Sequence, residues 1–223
     1  MKTLAVASAL IAATTCAMSQ GTVLVNNSST TLVRTNGGIP FVGDTSPAPN
    51  GFYYELLTAP SSVTTVSSFQ ALLSAPWSDT GISATNTASA GRLRAGSSSI
   101  ASFWPEGQME SFVLVGWSSD WGSTWSALAA KLSGSDLTFS GGAWTTGSGG
   151  PFGSWLGISS VGFGEAGGES LPAFSVFGSN PTSQGTPIAG FDLYPITPEP
   201  GSANLAALGL ILAGSNWLRR SRR

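Results

Sequence analysis

Histidine is absent from these 223 residues, and cysteine occurs once, at Cys16. Those gaps remove much of the usual catalytic inventory: a Ser-His-Asp triad, a Cys-His dyad and an ordinary zinc site all lack a base or ligands. A lone cysteine forms no intramolecular disulfide, so the fold must stand on packing. Charge is scarce too, at 9% of residues. Between Gln20 and Thr197, the cations Arg34, Arg92, Arg94 and Lys131 face ten carboxylates, a net of −6. Such a body lacks the basic stripe that neutralises phosphates, which argues against nucleic-acid binding, and it is repelled by an anionic membrane surface. What the chain does hold in quantity is glycine (29 residues) and tryptophan (8 residues), set among serine and threonine.

Long apolar runs are confined to the two ends. Lys2 precedes the apolar stretch 4–13, and Ala17-Met18-Ser19 offers small residues for cleavage before Gln20. That order predicts a signal peptide over 1–19. A lipoprotein reading through Cys16 is poorer, because Ala13-Thr14-Thr15 makes a weak lipobox. At the other end stand Pro198-Glu199-Pro200, the apolar run 202–218, and Arg219, Arg220, Arg222 and Arg223. Clustered arginine after a short apolar helix holds the end in the cytoplasm. A helix over 202–218 spans only about 25 Å at about 1.5 Å per residue, against a hydrocarbon core of about 30 Å. Gly209, Gly214, Asn204 and Asn216 weaken it further. The expectation is a transmembrane helix held for processing rather than a permanent anchor.

The three-part tail 197–223 resembles the PEP-CTERM sorting signal of Gram-negative bacteria. Asn204 and Asn216 within the span, and Ser221 within the arginine cluster, are departures from it. The resemblance covers only the tail and the leader. It implies an exosortase-type processing enzyme as partner, a transient inner-membrane intermediate, and delivery to the cell surface or extracellular space. It also links such proteins to extracellular polysaccharide and biofilm matrix, and so implies a structural or adhesive role.

Residues 20–196 read as one extracytoplasmic, β-rich domain, a β-sandwich or jelly roll with one or two short helices. Thr22–Val25 and Thr31–Arg34 flank the polar stretch 26–30 and are expected to pair as a hairpin. In the run from Phe52 to Leu57, Phe52, Tyr54 and Leu56 fall on one face. Phe112–Trp117 is apolar on both faces, which predicts a central strand between layers. Further strands are expected at Asp136–Phe139, Trp155–Ile158, Ala173–Phe177 and Phe191–Ile196. One helix is expected over Trp125–Leu132, capped by Ser123 or Thr124 and ended by Gly134. A second is expected over Phe69–Leu73, capped by Ser67 or Ser68 and stopped before Pro76. Ser140–Ser154 reads as loop, and Thr80–Ala90 as loop or edge strand.

Several strings resemble chemical motifs. Gly162-Phe163-Gly164-Glu165-Ala166-Gly167 fits G-x-G-x-x-G, but Gly168 and Pro172 forbid the helix whose N-terminus would receive a pyrophosphate; a glycine-rich turn is expected. Asp79-Thr80-Gly81 carries the triplet of aspartic proteases, yet the nearest second copy, Asp44-Thr45-Ser46, lacks the glycine. Asp79 capping its own turn is the expectation. Glu106 with Glu110, or Glu165 with Glu169, are the pairs a glycosidase would use. No Asp-rich calcium loop, metal cluster or cofactor motif is present. Most of the tryptophans should fill core. Trp121 and Trp144, with Asp120, are the candidates for stacking on and hydrogen-bonding a glycan. The reading is a non-enzymatic surface or matrix protein; the alternatives are a carbohydrate-binding module and, after it, a carboxylate-based glycosidase. Intact-mass measurement of surface-extracted protein should find 1–19 and the terminal arginines both missing; retained arginines would contradict the sorting reading.

Overall fold

The computed structural model describes residues 20–36, 42–46, 51–95, 99–140, 142–146, 154–178 and 184–198. The leader 1–19 and the tail beyond Pro198 lie outside them. The first strands are β1 (Gln20–Leu24), β2 (Arg34–Asn36), β3 (Val42–Asp44), β4 (Phe52–Pro60) and β5 (Ser78–Asn86). Next come β6 (Leu93–Arg94), β7 (Ser99–Pro105), β8 (Met109–Ser118), β9 (Thr138–Ser140) and β10 (Ala143–Thr146). The last are β11 (Trp155–Ile158), β12 (Gly162–Glu165), β13 (Phe174–Ser175), β14 (Gly185–Thr186) and β15 (Asp192–Pro198). Among the described residues the fold is mainly β, with one α-helix, α1 (Trp125–Leu132).

β8 organises the molecule. β4 pairs along its whole length, from Phe52 opposite Ser118 to Pro60 opposite Glu110. Its other edge is shared end to end by β11 and β12. Alternate side chains of β8 enter opposite cores, as the two-faced apolar run predicts. Phe112 and Leu114 join Phe52, Tyr54, Leu56 and Leu193 in the first core. Val113, Val115 and Trp117 join Leu57, Leu156 and Ile196 in the second.

Each core has its own cover. Over the first lies a separate three-stranded sheet, ordered β13-β1-β7, which contributes Val23, Trp104 and Phe174. Two sheets facing one another across an apolar layer are consistent with a β-sandwich. Over the second lie Leu128 and Leu132 of α1, together with Phe69, Leu72 and Trp121. The Thr124 hydroxyl accepts from the Ala127 amide at 3.2 Å and caps α1. Gln70–Leu73 is a 3-10 turn, with the Ser68 hydroxyl accepting from Ala71 N. No helix among the described residues is long and apolar enough to cross a membrane; the run 202–218 lies outside them.

Four local expectations are corrected. The 22–25/31–34 hairpin does not form: β1 pairs with β7 and β13, and β2 with β3 and β15. Asn27 redirects the chain, donating to the carbonyls of Thr31 and Gly91 and accepting from Leu93 N. Of the two readings of Thr80–Ala90, loop is corrected and strand holds: it contains most of β5, which pairs with β4 and, at Thr85 and Asn86 alone, with β6, and buries Thr80, Ile82, Ala84 and Asn86 in alternation. The glycine-rich 140–154 segment holds β10. Finally, 162–165 is strand β12, not a turn.

In β12 the glycines make room for rings. A Cβ on Gly162 would enter Phe112, and one on Gly164 would sit 2.5–2.8 Å from three atoms of Phe174. Phe112, Phe174 and Trp104 pack there with centroids 5.5–5.9 Å apart, Trp104 stacked on Phe112 and Phe174 edge-on to Phe112. Gly164→Ala should therefore overpack the first core and cost about 1–3 kcal/mol in urea unfolding. Gly134→Ala, where nothing lies within 4 Å, is the control and should stay near neutral.

Candidate functional site

The second core is incompletely covered beside β9 and β10, and a cleft of about 620 Å³ opens there. β9 and β10 run antiparallel, placing Phe139 directly opposite Trp144. Their rings lie 4.9 Å apart. The Phe69 ring meets Trp144 edge-on at 5.6 Å, and Tyr194 meets Phe139 at 4.8 Å. Phe69, Trp144, Phe139 and Tyr194 thus form a continuous aromatic row. Trp144 is fixed in it by Nε1, which donates to the Leu156 carbonyl at 2.8 Å. Within the row Phe139 is 48% exposed, a large apolar ring left open to water.

The facing walls come from segment 64–69 and from the 158–161 connection between β11 and β12. They are rich in hydroxyls. Ser159 is spent internally, accepting from Leu114 N and donating to the Ser160 carbonyl. Thr64, Thr65, Ser67 and Ser160 are exposed and line the same space. Among the described residues, none that lines the cleft is ionisable. A concave site with aromatic faces, free hydroxyls and no charge suits an uncharged ligand with both apolar faces and hydroxyl groups.

Of the three predicted glycan contacts, only Trp144 reaches this cleft. Trp121 is 2% exposed and offers no open face. It belongs to the second core, with the Lys131 ammonium 5.9 Å from its ring centroid. Asp120 is exposed in the 3-10 turn Ser119–Trp121, where its backbone carbonyl accepts from Lys131 Nζ. Trp117 is fully buried and donates from Nε1 to the Gly122 carbonyl. Trp121 is thus part of the interior, while Asp120 is exposed outside the cleft lining. Phe139, Phe69 and the hydroxyl walls were missed by sequence reasoning. The period-two placement of Phe139 opposite a tryptophan was the one available signal, and it required knowing the hairpin register. Of the sorting residues, Pro198 ends β15, and Glu199, Pro200 and the arginines lie outside the described residues.

Neither expected carboxylate pair lines the cleft. Glu106 accepts from Ser170 N at 2.9 Å and ties down a loop. Glu110 is buried, accepts from the Gln108 amide at 2.7 Å, and has its carboxyl pushed up by that burial. Glu165 ends β12, and Glu169 is exposed in the loop that follows. Asp79 behaves as expected, accepting from Gly81 N at 2.8 Å in a turn within a β-bulge, with Gly81 at φ +71.

An acid pair that the sequence did not announce joins Asp79 to Glu55 of β4. Glu55 is 2% exposed, and its carboxyl is pushed up to about 8. Burial is the main cause; the Ser83 hydroxyl, donating at 2.6 Å, opposes it, and the Asp79 carboxyl adds to it. The folded state therefore holds a proton that the unfolded chain releases near its ordinary value of 4.5. The contribution of Glu55 to stability is complete below that value and is lost as pH rises towards 8, because the native state holds this proton across the window. Melting temperature should drop between about pH 5 and pH 9, and Glu55→Gln should flatten most of that slope. An equal slope in the variant would remove Glu55 as the cause.

No family model, no curated protein and no solved structure matches this chain.

Proposed function

We propose that this chain is an exported protein of the cell surface or extracellular matrix, sorted by an exosortase-type system, in which it plays a structural or adhesive part. Its sandwich-type domain adheres to an uncharged polysaccharide through the Trp144 cleft. Sandwich describes it better than jelly roll, since β1–β13, β10–β15 and β2–β15 are parallel pairs. The observation that carries the binding reading is the cleft's lining: the rings of Phe69, Trp144 and Phe139 with hydroxyl walls and, among the described residues, no ionisable group. Sugar rings bury their C–H faces on such rings while their hydroxyls exchange hydrogen bonds with serine and threonine. At about 620 Å³ the cleft admits a ligand of drug-like size, roughly two sugar rings.

Binding is favoured over hydrolysis at this site. Cleaving a glycosidic bond takes an acid and a base flanking it, and the described residues of this lining supply neither. The delivery half of the proposal rests on the leader and on the tail residues Pro198, Glu199, Pro200, Arg219, Arg220, Arg222 and Arg223.

Affinity electrophoresis through gels containing hydroxyethyl cellulose, laminarin, dextran or galactomannan tests the binding. At least one polymer should retard the protein. Phe139→Ala removes the most exposed ring and should weaken that retardation by roughly five- to tenfold, about 1 kcal/mol or more. Trp144→Ala should weaken it further, and Asp120→Asn should leave it unchanged. Retention by Phe139→Ala and Trp144→Ala equal to wild type would assign the adhesion elsewhere.

A further inference from the structure

The cleft lies at the end of the domain from which the tail departs. β15 is held in the sheet to its last residue: Trp144, Thr145 and Thr146 of β10 register with Ile196, Thr197 and Pro198. The Thr197 hydroxyl donates to the Trp144 carbonyl at 3.2 Å, and Ile196 N donates to the Ser154 carbonyl at 2.8 Å. On the far side of β10, Thr138 registers with Thr145. The cleft-lining Thr138 is therefore two strands across from Thr197, about 10 Å at the usual strand spacing. No slack precedes Pro198.

Little follows it. Only residues 199–201 separate Pro198 from the apolar run that begins at Ser202. Even fully extended, the step from Pro198 to Ser202 covers at most about 14 Å. With the run in a bilayer, the cleft wall can stand no more than about 25 Å from the membrane surface, whichever way the domain tilts.

We infer that the Trp144 cleft is membrane-apposed while the apolar segment is embedded: in that state it takes short glycans, and it engages long polysaccharide only once the segment leaves the bilayer. A chain of many sugar rings bound within such a gap is pressed between domain and lipid and loses conformations. A fragment of a few rings does not. The inference rests on the glycan reading of the cleft and on the tail inserting into lipid.

The full chain tests it in three forms: reconstituted in phosphatidylcholine vesicles, held in detergent, and reconstituted with a flexible Gly-Ser insert of about twenty residues after Glu199. Such an insert adds roughly 25 Å of mean reach. The ligands are the polymer that retards the protein most in the gel panel and the tetrasaccharide of the same repeat. The tetrasaccharide should bind all three forms alike. The polymer should bind the vesicle form about tenfold more weakly than the detergent form, and the insert should restore most of the loss. Equal polymer affinity in vesicles and detergent would overturn the inference while leaving the glycan reading intact. Failure of the tetrasaccharide to bind any form would overturn the glycan reading itself. A full chain that does not float with the vesicles would remove the apposition.

Discussion

The structure depends on a single strand being apolar on both faces. Phe112 and Leu114 of β8 point into one core and Val113, Val115 and Trp117 into the other, so neither core closes without it. Each of these side chains is essentially without solvent contact. At about 25 cal/mol per Å² of apolar area, such a strand supplies driving force to both layers at once. Its partners inherit the same division: Leu56 and Leu57 are sequence neighbours on β4 and belong to different cores. With no disulfide available, the two layers are coupled through this shared strand rather than through cross-links.

Close packing around β8 explains the glycine content better than flexibility does. Gly116 on β8 itself leaves room for Leu193 and the Tyr54 ring, and Gly157 on β11 lies against the backbone of β15. The string 162–167 looked like a phosphate loop, or at least a turn, because glycine is the common residue of both. Its glycines at 162 and 164 serve instead as recesses for Phe112 and Phe174. Composition cannot distinguish a glycine that bends a chain from one that yields space to a ring on a neighbouring strand. Only the register does.

Where the local pattern and the tertiary environment agree, the sequence was legible. The face shared by Phe52, Tyr54 and Leu56, the two-sided apolar run in β8 and the capped α1 all appear where expected. β5 was obscured because Thr80, Ala84 and Asn86 are small or polar core residues; Asn86 is buried by bonding to Tyr54 and Thr45. The 26–30 turn failed as a hairpin because Asn27 binds a segment more than sixty residues away. The binding candidates divide on the same ground. Trp121 and Trp144 are alike in sequence, but one lies beneath α1 and the other beside a gap that α1 does not cover. Phe139 drew no notice alone, since its role comes from the ring opposite it.

The placement of the final strand has a temporal consequence. β15 is interior to the large sheet, flanked by β2 from near the start of the domain and by β11 and β10 from its later part. Chain-distant pairings of this kind close late, because loop entropy is spent before the contacts return it. Folding therefore leaves the place between β2 and β11 unfilled until the last strand of the domain docks. The order of assembly is thus set by β15: the seam stays open, and the facing edges of β2 and β11 unpaired, until that strand arrives.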